Sequence, residues 1–278
     1  MQRVGLIGHP IAHSVSAAFQ QAAFDALGRD TKYELWDTLP EGLEQRVASL
    51  RDGEVLGANV TVPHKEAVIP FLEYVEPSAA AIGAVNTVVH RGDALAGHNT
   101  DALGFKLACE EAEIDIATRP AVIVGAGGAA RAIVYLLSGA DPRSILVLNR
   151  TADRARKVAV DFGVGCDSLA EAPASVFRTA RLLVNTTSVG MAGGDEGTPI
   201  DTALLSPSCT VIDVVANPLE TELVRQARAA GCQAMGGLPM LVYQGAESFR
   251  LWTGDEAPLK IMVEAAERAT RESSSPQI

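Results

Sequence analysis

Residues 121–132 read Ala-Val-Ile-Val-Gly-Ala-Gly-Gly-Ala-Ala-Arg-Ala, and no other stretch of the chain restricts its fold so tightly. A short apolar β-branched run that ends in glycines and enters a helix-forming segment predicts a buried strand, a tight turn and a helix start. Gly125 permits the turn, Gly127 lets a pyrophosphate approach bare backbone, and Ala130 allows close helix–strand packing. The free N–H groups and partial positive charge of the helix start, over Ala126, Gly128 and Ala129, then favour phosphate. A dinucleotide site is the reading that follows.

The flanking pattern agrees. Short β-branched runs alternate with Ala/Leu-rich helical stretches along the chain, which is the signature of an α/β protein with parallel strands. Strands are expected at 3–8, 32–37, 58–62 and 85–90, and an Arg91-Gly92-Asp93 turn leads to a return strand at 95–98. A second series is expected at 121–125, 144–149, 182–185, 211–214 and 232–235. Helices are expected at 16–27, 43–51, 99–113, 128–138, 152–162 and 220–230, with a final pair at 241–252 and 258–271. The expected division is residues 1–101 for a substrate-binding and catalytic domain and 102–236 for a Rossmann-type dinucleotide domain. Residues 237–278 form helices returning to the first domain, with a cleft between the two domains and a frayed tail from Glu272.

Composition excludes several classes. The 278 residues are 47% hydrophobic and 21% charged, enough for a buried core. The net charge of −11 disfavours nucleic acid, which needs basic surface to displace counterions. The charge is unevenly spread, however. From Arg119 to Lys157, seven basic residues face only Asp141 and Asp153, so the dinucleotide segment is locally cationic. Cys109, Cys166, Cys209 and Cys232 are far apart and read as reduced thiols. The five histidines have no metal-ligand spacing, so no metal is expected. No run is long enough to span a membrane, and the N-terminus lacks a signal-peptide layout, so the expected location is the cytoplasm.

The second strand of the dinucleotide unit ends Asn149-Arg150-Thr151, followed by Arg154. An NAD-selective fold usually places a carboxylate there for the ribose 2′-hydroxyl. Two guanidiniums and the Thr151 hydroxyl instead suit a 2′-phosphate, which points to NADP. The plainer reading, solvated residues at a helix start, is disfavoured because cations there oppose the helix dipole.

Candidate chemistry lies in the first hundred residues. Asn59-Val-Thr61-Val-Pro63-His64-Lys65-Glu66 reads as a strand meeting a helix at Pro63, with Lys65 in the first turn, where the dipole disfavours its ammonium. Asn59 and Thr61 fall on one strand face beside it. Taken alone, Lys65 is more simply an exposed lysine paired with Glu66 or Glu73. Asp101 is most simply a first-turn helix carboxylate, and Ser16 a helix N-cap. A carboxylate next to Lys65 would instead hold the amine, and Ser14 with Ser16 would offer a site for a substrate carboxylate.

Taken together, these segments resemble the shikimate dehydrogenase family. The matching stretches are Gly8–Ser16, Gly57–Glu66, Gly83–Thr87, Asn99–Asp101, Gly125–Ala130, Asn149–Ala155, Asn185–Met191 and Gly237–Gln244. The resemblance implies NADPH-dependent reduction of 3-dehydroshikimate to shikimate in aromatic amino-acid biosynthesis, by a monomer or homodimer. It implies Lys65 and Asp101 as the catalytic pair and Ser14 and Ser16 as carboxylate ligands. Asn59, Thr61, Asn86 and Gln244 would hold ring hydroxyls, and Thr186, Gly237 and Met240 would join the cofactor site. The chain departs from the family pattern at Val15, Ala17, Gln20, Ala216 and Gly236, where Lys, Pro, His, Tyr and Asp are usual. Two alternatives therefore stand beside it: a paralogue acting on quinate or an amino-substituted shikimate, and a non-catalytic NADPH-binding sensor.

Overall fold

The computed structural model describes residues 1–117, 120–139 and 141–273. Arg119 of the basic segment and 274–278 of the expected tail lie outside them. Glu272 and Ser273 are not frayed: they finish the last helix. The chain divides into two compact units, 1–104 with 241–273, and 105–240.

The first unit is built on six strands: β1 (Gln2–Gly8), β2 (Thr31–Asp37), β3 (Val55–Val60), β4 (Tyr74–Val75), β5 (Thr87–Arg91) and β6 (Ala94–His98). Their order is β2-β1-β3-β5-β6-β4. β1 lies parallel to β2 and β3, but β3 and β5 run antiparallel, as do β5 and β6. The sheet is therefore mixed rather than parallel throughout. The chain between β3 and β5 passes through β4 and a short helix before β5 pairs antiparallel with β3. Val4, Leu6 and Ile7 of β1 and Ala58 and Val60 of β3 are buried, as a strand in the middle of a covered sheet requires. Helix α1 (Ser16–Ala26) stacks Phe24 on Phe249 at 4.9 Å, tying it to α9 (Leu238–Thr253), and it also packs against α10 (Leu259–Ser273).

The short elements of this unit set the positions of the side chains that follow. Helices α2 (Leu43–Ala48) and α3 (Pro77–Ile82) have six residues each. α3 begins with a carboxylate cap, as Glu76 accepts from the backbone N–H of Ser78 and Ala79 and from the Ser78 hydroxyl. It ends at Gly83, whose φ of 72° turns the chain toward Asn86 and β5.

The second unit is a fully parallel sheet of β7 (Ala121–Val124), β8 (Ile145–Asn149), β9 (Gly165–Ser168), β10 (Leu182–Asn185), β11 (Thr210–Asp213) and β12 (Gln233–Met235). Its order is β12-β11-β10-β7-β8-β9, so the winding reverses between β7 and β10. That is the doubly wound arrangement whose ligand crevice opens where the order reverses. α4 (Asp101–Glu111) precedes it. α5 (Gly128–Ser138), α6 (Ala152–Phe162), α7 (Ala174–Thr179) and α8 (Glu222–Ala229) fill the connections. The strands β7 and β10 are buried at every position, which explains their continuous apolar sequences.

The Glu76 cap makes the first prediction. Hydrogen bonding from Ser78, partly offset by burial, holds the Glu76 carboxyl below its ordinary range. A depressed folded-state value means that its contribution is present at neutral pH and is lost as the pH falls through the carboxylate range. Glu76→Ala is expected to cost about 1 kcal/mol in urea denaturation at neutral pH. The gap from the unsubstituted protein is expected to narrow in acid.

Candidate active site

Lys65 and Asp101 meet. The lysine Nζ donates to Asp101 Oδ2 at 2.6 Å, with 14% and 5% of the two side chains exposed. Lys65 does not sit in a helix. After β3 the chain turns through residues 62–68, and the Lys65 carbonyl accepts from Val85 N–H at 2.7 Å, which removes it from any helical ladder. The expected helix-dipole effect on Lys65 therefore has no source. The turn is held by His64, buried and within 2.7 Å of the Thr38 carbonyl through Nε2. Glu73, one of the simpler partners considered for the lysine, pairs with Arg51 instead.

Asp101 is the first residue of α4, and Asn99 prepares it: Asn99 Oδ1 accepts from Asp101 N–H, while its amide donates to the Ala84 carbonyl. The other carboxylate oxygen, Oδ1, accepts from Asn86 Nδ2 at 2.9 Å. Asn86 Nδ2 also lies 2.9 Å from Thr100 Oγ1 and 3.1 Å from Gln244 Oε1. Gln244 has given one N–H to the Leu241 carbonyl, which leaves the second.

Among the residues expected to touch a ligand, the polar groups divide sharply. Asn59 is buried and saturated: Oδ1 accepts from the Tyr33 hydroxyl, and Nδ2 lies within 3.4 Å of Ser248 Oγ, the Asn86 carbonyl and Thr87 Oγ1. Thr61 follows the last residue of β3 and keeps the ladder to β1, its N–H donating to the Ile7 carbonyl at 2.8 Å. Among the described residues, the hydroxyls of Thr61 and Ser16 have no partner, and that of Ser14 only accepts, from Ser16 N–H at 3.3 Å. Ser16 is the first helical residue of α1, and the cap position belongs to Val15, without a side-chain bond. An ammonium braced by a carboxylate, with N–H bonds to spare, can pass a proton to an oxygen that gains charge. Free hydroxyls at a helix start can receive a carboxylate.

The dinucleotide motif forms as its sequence predicts. Gly125 has a φ of 112°, and a Cβ there would lie 2.2 Å from Thr186 Oγ1. Thr186 is fixed in turn by two bonds to the Val124 carbonyl, from its N–H at 2.7 Å and its hydroxyl at 2.8 Å. At Gly127, the N-cap of α5, a Cβ would meet nothing within 4 Å, so the turn is open on that side. Ala126 is buried beneath the turn. At the tip of β8, Asn149 donates to the Thr151 carbonyl, and Thr151 holds the N-cap position of α6 without a side-chain bond. Asp153 is occupied by Arg156, whereas Arg150 and Arg154 are exposed and have no acidic partner among the described residues.

Further along, Gly237 N–H donates to the Val215 carbonyl, and Met240 is buried. Asp213 is wholly buried at the end of β11 and accepts from Asn185, Thr221 and Val215 N–H. Burial pushes its carboxyl up, against those hydrogen bonds. Among the described residues, no group of three or more His, Cys, Asp or Glu side chains could hold a metal, and no helix is long and apolar enough to cross a membrane.

Known families account for this geometry. Residues 6–88 match the shikimate dehydrogenase substrate binding domain, 106–189 match shikimate/quinate 5-dehydrogenase, and 237–267 match the shikimate 5′-dehydrogenase C-terminal domain. The NADP(+) shikimate dehydrogenase of Moorella thermoacetica is 44% identical over 98% of this chain and 94% of its own.

The chain belongs to the shikimate dehydrogenase family.

A crystal structure of the Thermus thermophilus shikimate 5-dehydrogenase, in complex with NADP(H) and shikimate, superposes with a TM-score of 0.87. It is 42% identical and covers 97% of this chain and 100% of that one. A quinate dehydrogenase from Corynebacterium glutamicum, in complex with NAD, gives 0.85 at 34% identity over 95% of this chain and 98% of its own. For this shikimate dehydrogenase family member, the residues that sequence reasoning missed are Tyr33, Thr87, Thr100 and Ser248. Ser248 was the most accessible to inference, since it lies one helical turn after Gln244 on the same face of α9.

The Gly125 geometry has a direct test. Gly125→Ala places a side chain in the left-handed region and against Thr186, at a cost of about 2 kcal/mol. A lowered Tm, together with weaker dinucleotide binding in a fluorescence titration, is the expected outcome.

Proposed function

We propose that this protein is an NADP-dependent oxidoreductase that interconverts 3-dehydroshikimate and shikimate, with Lys65 and Asp101 as its proton-handling pair. The observation that carries the reading is the 2.6 Å contact between Lys65 and Asp101; the hydroxyls of Ser14, Ser16 and Thr61, in the same unit, make no donor bonds to the described protein. A small polyhydroxylated acid needs several aimed polar groups. Ser14 and Ser16 are suited to its carboxylate, and Thr61 and the second Gln244 N–H to ring hydroxyls. Asn86 and Asn59 support the reading from within, since their amides hold the strand tips that carry the other groups.

NADP(H), when bound, supplies or accepts the hydride. Gly125, Ala126, Gly127, Gly128 and Ala129 fit its pyrophosphate through open backbone, while Thr151 and the unpaired guanidiniums of Arg150 and Arg154 fit a 2′-phosphate. Asn149, Thr186, Gly237 and Met240 complete the cofactor set. As the substrate carbonyl oxygen gains negative charge, Lys65 donates a proton to it, and in reverse takes one from the hydroxyl. Asp101 stays ionised, aims the ammonium and holds it close to the reacting oxygen. The four free thiols accord with a cytoplasmic enzyme.

Lys65→Ala is expected to remove most shikimate-dependent reduction of NADP while leaving NADPH affinity near that of the unsubstituted protein. Steady-state assays over shikimate, quinate and an amino-substituted shikimate check this and the substrate together, with the highest kcat/KM expected for shikimate. Ala216, where the family usually carries tyrosine, is the reason the panel matters. Preference for another acid would assign a paralogue, and silence toward all three would assign a sensor. Arg150→Ala is expected to weaken NADPH binding at least about tenfold more than NADH binding, read by fluorescence titration of both cofactors.

A further inference from the structure

We propose that Thr87 is a positioning residue for the Lys65–Asp101 pair, acting through the Asn86 amide from the centre of a buried hydroxyl cluster with Thr100 and Ser248. The proposal rests on the acid–base reading above. Two backbone groups fix the orientation of the amides concerned. Thr100 N–H donates to Asn86 Oδ1 at 2.8 Å, so Asn86 Nδ2 must face Asp101. The Asn86 carbonyl accepts from Asn59 Nδ2 at 3.3 Å, so Asn59 Oδ1 must face the Tyr33 hydroxyl, the donor in that 2.8 Å bond. Only hydroxyls lie between the two amides. Thr87 Oγ1 is 3.0 Å from Asn86 Oδ1, 2.8 Å from Ser248 Oγ and 3.5 Å from Thr100 Oγ1. Ser248 Oγ in turn lies 3.0 Å from Asn59 Nδ2 and 2.9 Å from the Gln244 carbonyl.

Thr87 and Ser248 are both 0% exposed, so neither is placed to touch a substrate directly. What Thr87 can do is brace Asn86. Its hydroxyl and the Thr100 groups together hold Oδ1, and the opposite end of the same rigid amide donates to Asp101. Valine has the shape of threonine without the hydroxyl. It would remove a donor to Asn86 Oδ1 and loosen the amide that aims the carboxylate, with little change in packing, while Ser248 keeps its bonds to the Gln244 carbonyl and Asn59 Nδ2.

The test is a mutant cycle on the full-length chain with NADP and shikimate, read at high enzyme concentration so that slow variants register. Thr87→Val is expected to lower kcat about tenfold with NADPH affinity unchanged, and Thr87→Ser to recover turnover to within about twofold of the unsubstituted protein. In an Asp101→Asn background, Thr87→Val is expected to cause no further loss, because its effect passes through that carboxylate. Unsubstituted kcat in Thr87→Val, failure of Thr87→Ser to recover turnover, or an equal fractional loss in the Asp101→Asn background would overturn the proposal. Should Thr87→Val fail to fold, Ser248→Ala takes its place in the cycle under the same criteria. Lys65→Ala separates the two levels. Full turnover there removes the acid–base reading itself, whereas an inactive Lys65→Ala beside an additive cycle removes only the role of Thr87.

Discussion

Everything in the first unit turns on the Asn86 amide. It is 2% exposed, and a buried amide left unpaired costs more than its hydrogen bonds contribute. Its groups are therefore met from four directions: Thr100, Asp101, Gln244 and Thr87. Those partners come from the end of β6, the start of α4, from α9 and from β5. The need to satisfy one side chain thus ties together the start of β5, the turn after β6, the start of α4 and the middle of α9, and the Asp101 carboxylate so held lies 2.6 Å from Lys65.

The second unit reaches its site by a different route. Its inner strands β7, β8 and β10 are apolar but for the final Asn of β8 and β10, and the polar groups, backbone and side chain together, gather at the strand ends. The Gly125 turn, the Thr186 clasp on Val124 and the Asn185–Asp213–Thr221 bonds all lie just past the carboxyl ends of β7, β10 and β11. A turn that meets its ligand through backbone tolerates many sequences but needs glycine where a Cβ has no room, as at Gly125.

That contrast explains what could be read from the chain. The dinucleotide motif was legible because it is local, with strand, turn and helix following one another within twelve residues. β1, α5 and α6 were placed to within a residue because each has a strong apolar period and a clear end. The two-residue β4, the six-residue α3 and α7, and the edge strand β9 carry no such pattern. Gly165-Cys-Asp-Ser is half exposed and, at the sheet edge, pairs with a strand on one side only. Lys65 and Asp101 stand out in their motifs and do meet, but the helix expected at Pro63 does not form, for a non-local reason: Val85, twenty positions away in the chain, takes the Lys65 carbonyl. Tyr33, Thr87 and Ser248 stayed hidden because a buried hydroxyl in a strand or helix reads like any other core threonine, serine or tyrosine until its neighbours are known.

The division between saturated amides and unpartnered hydroxyls also says where this scaffold is free to change. Replacing Asn59 or Asn86 strands several buried groups at once, so drift at those positions is punished through folding before it is tested on any substrate. Ser14, Ser16 and Thr61 owe little to the interior, and altering them leaves little unsatisfied. Under the proposed assignment, new ring acids are most accessible to evolution through the hydroxyls at the start of α1 and just past β3, with the amide framework carried unchanged from one specificity to the next.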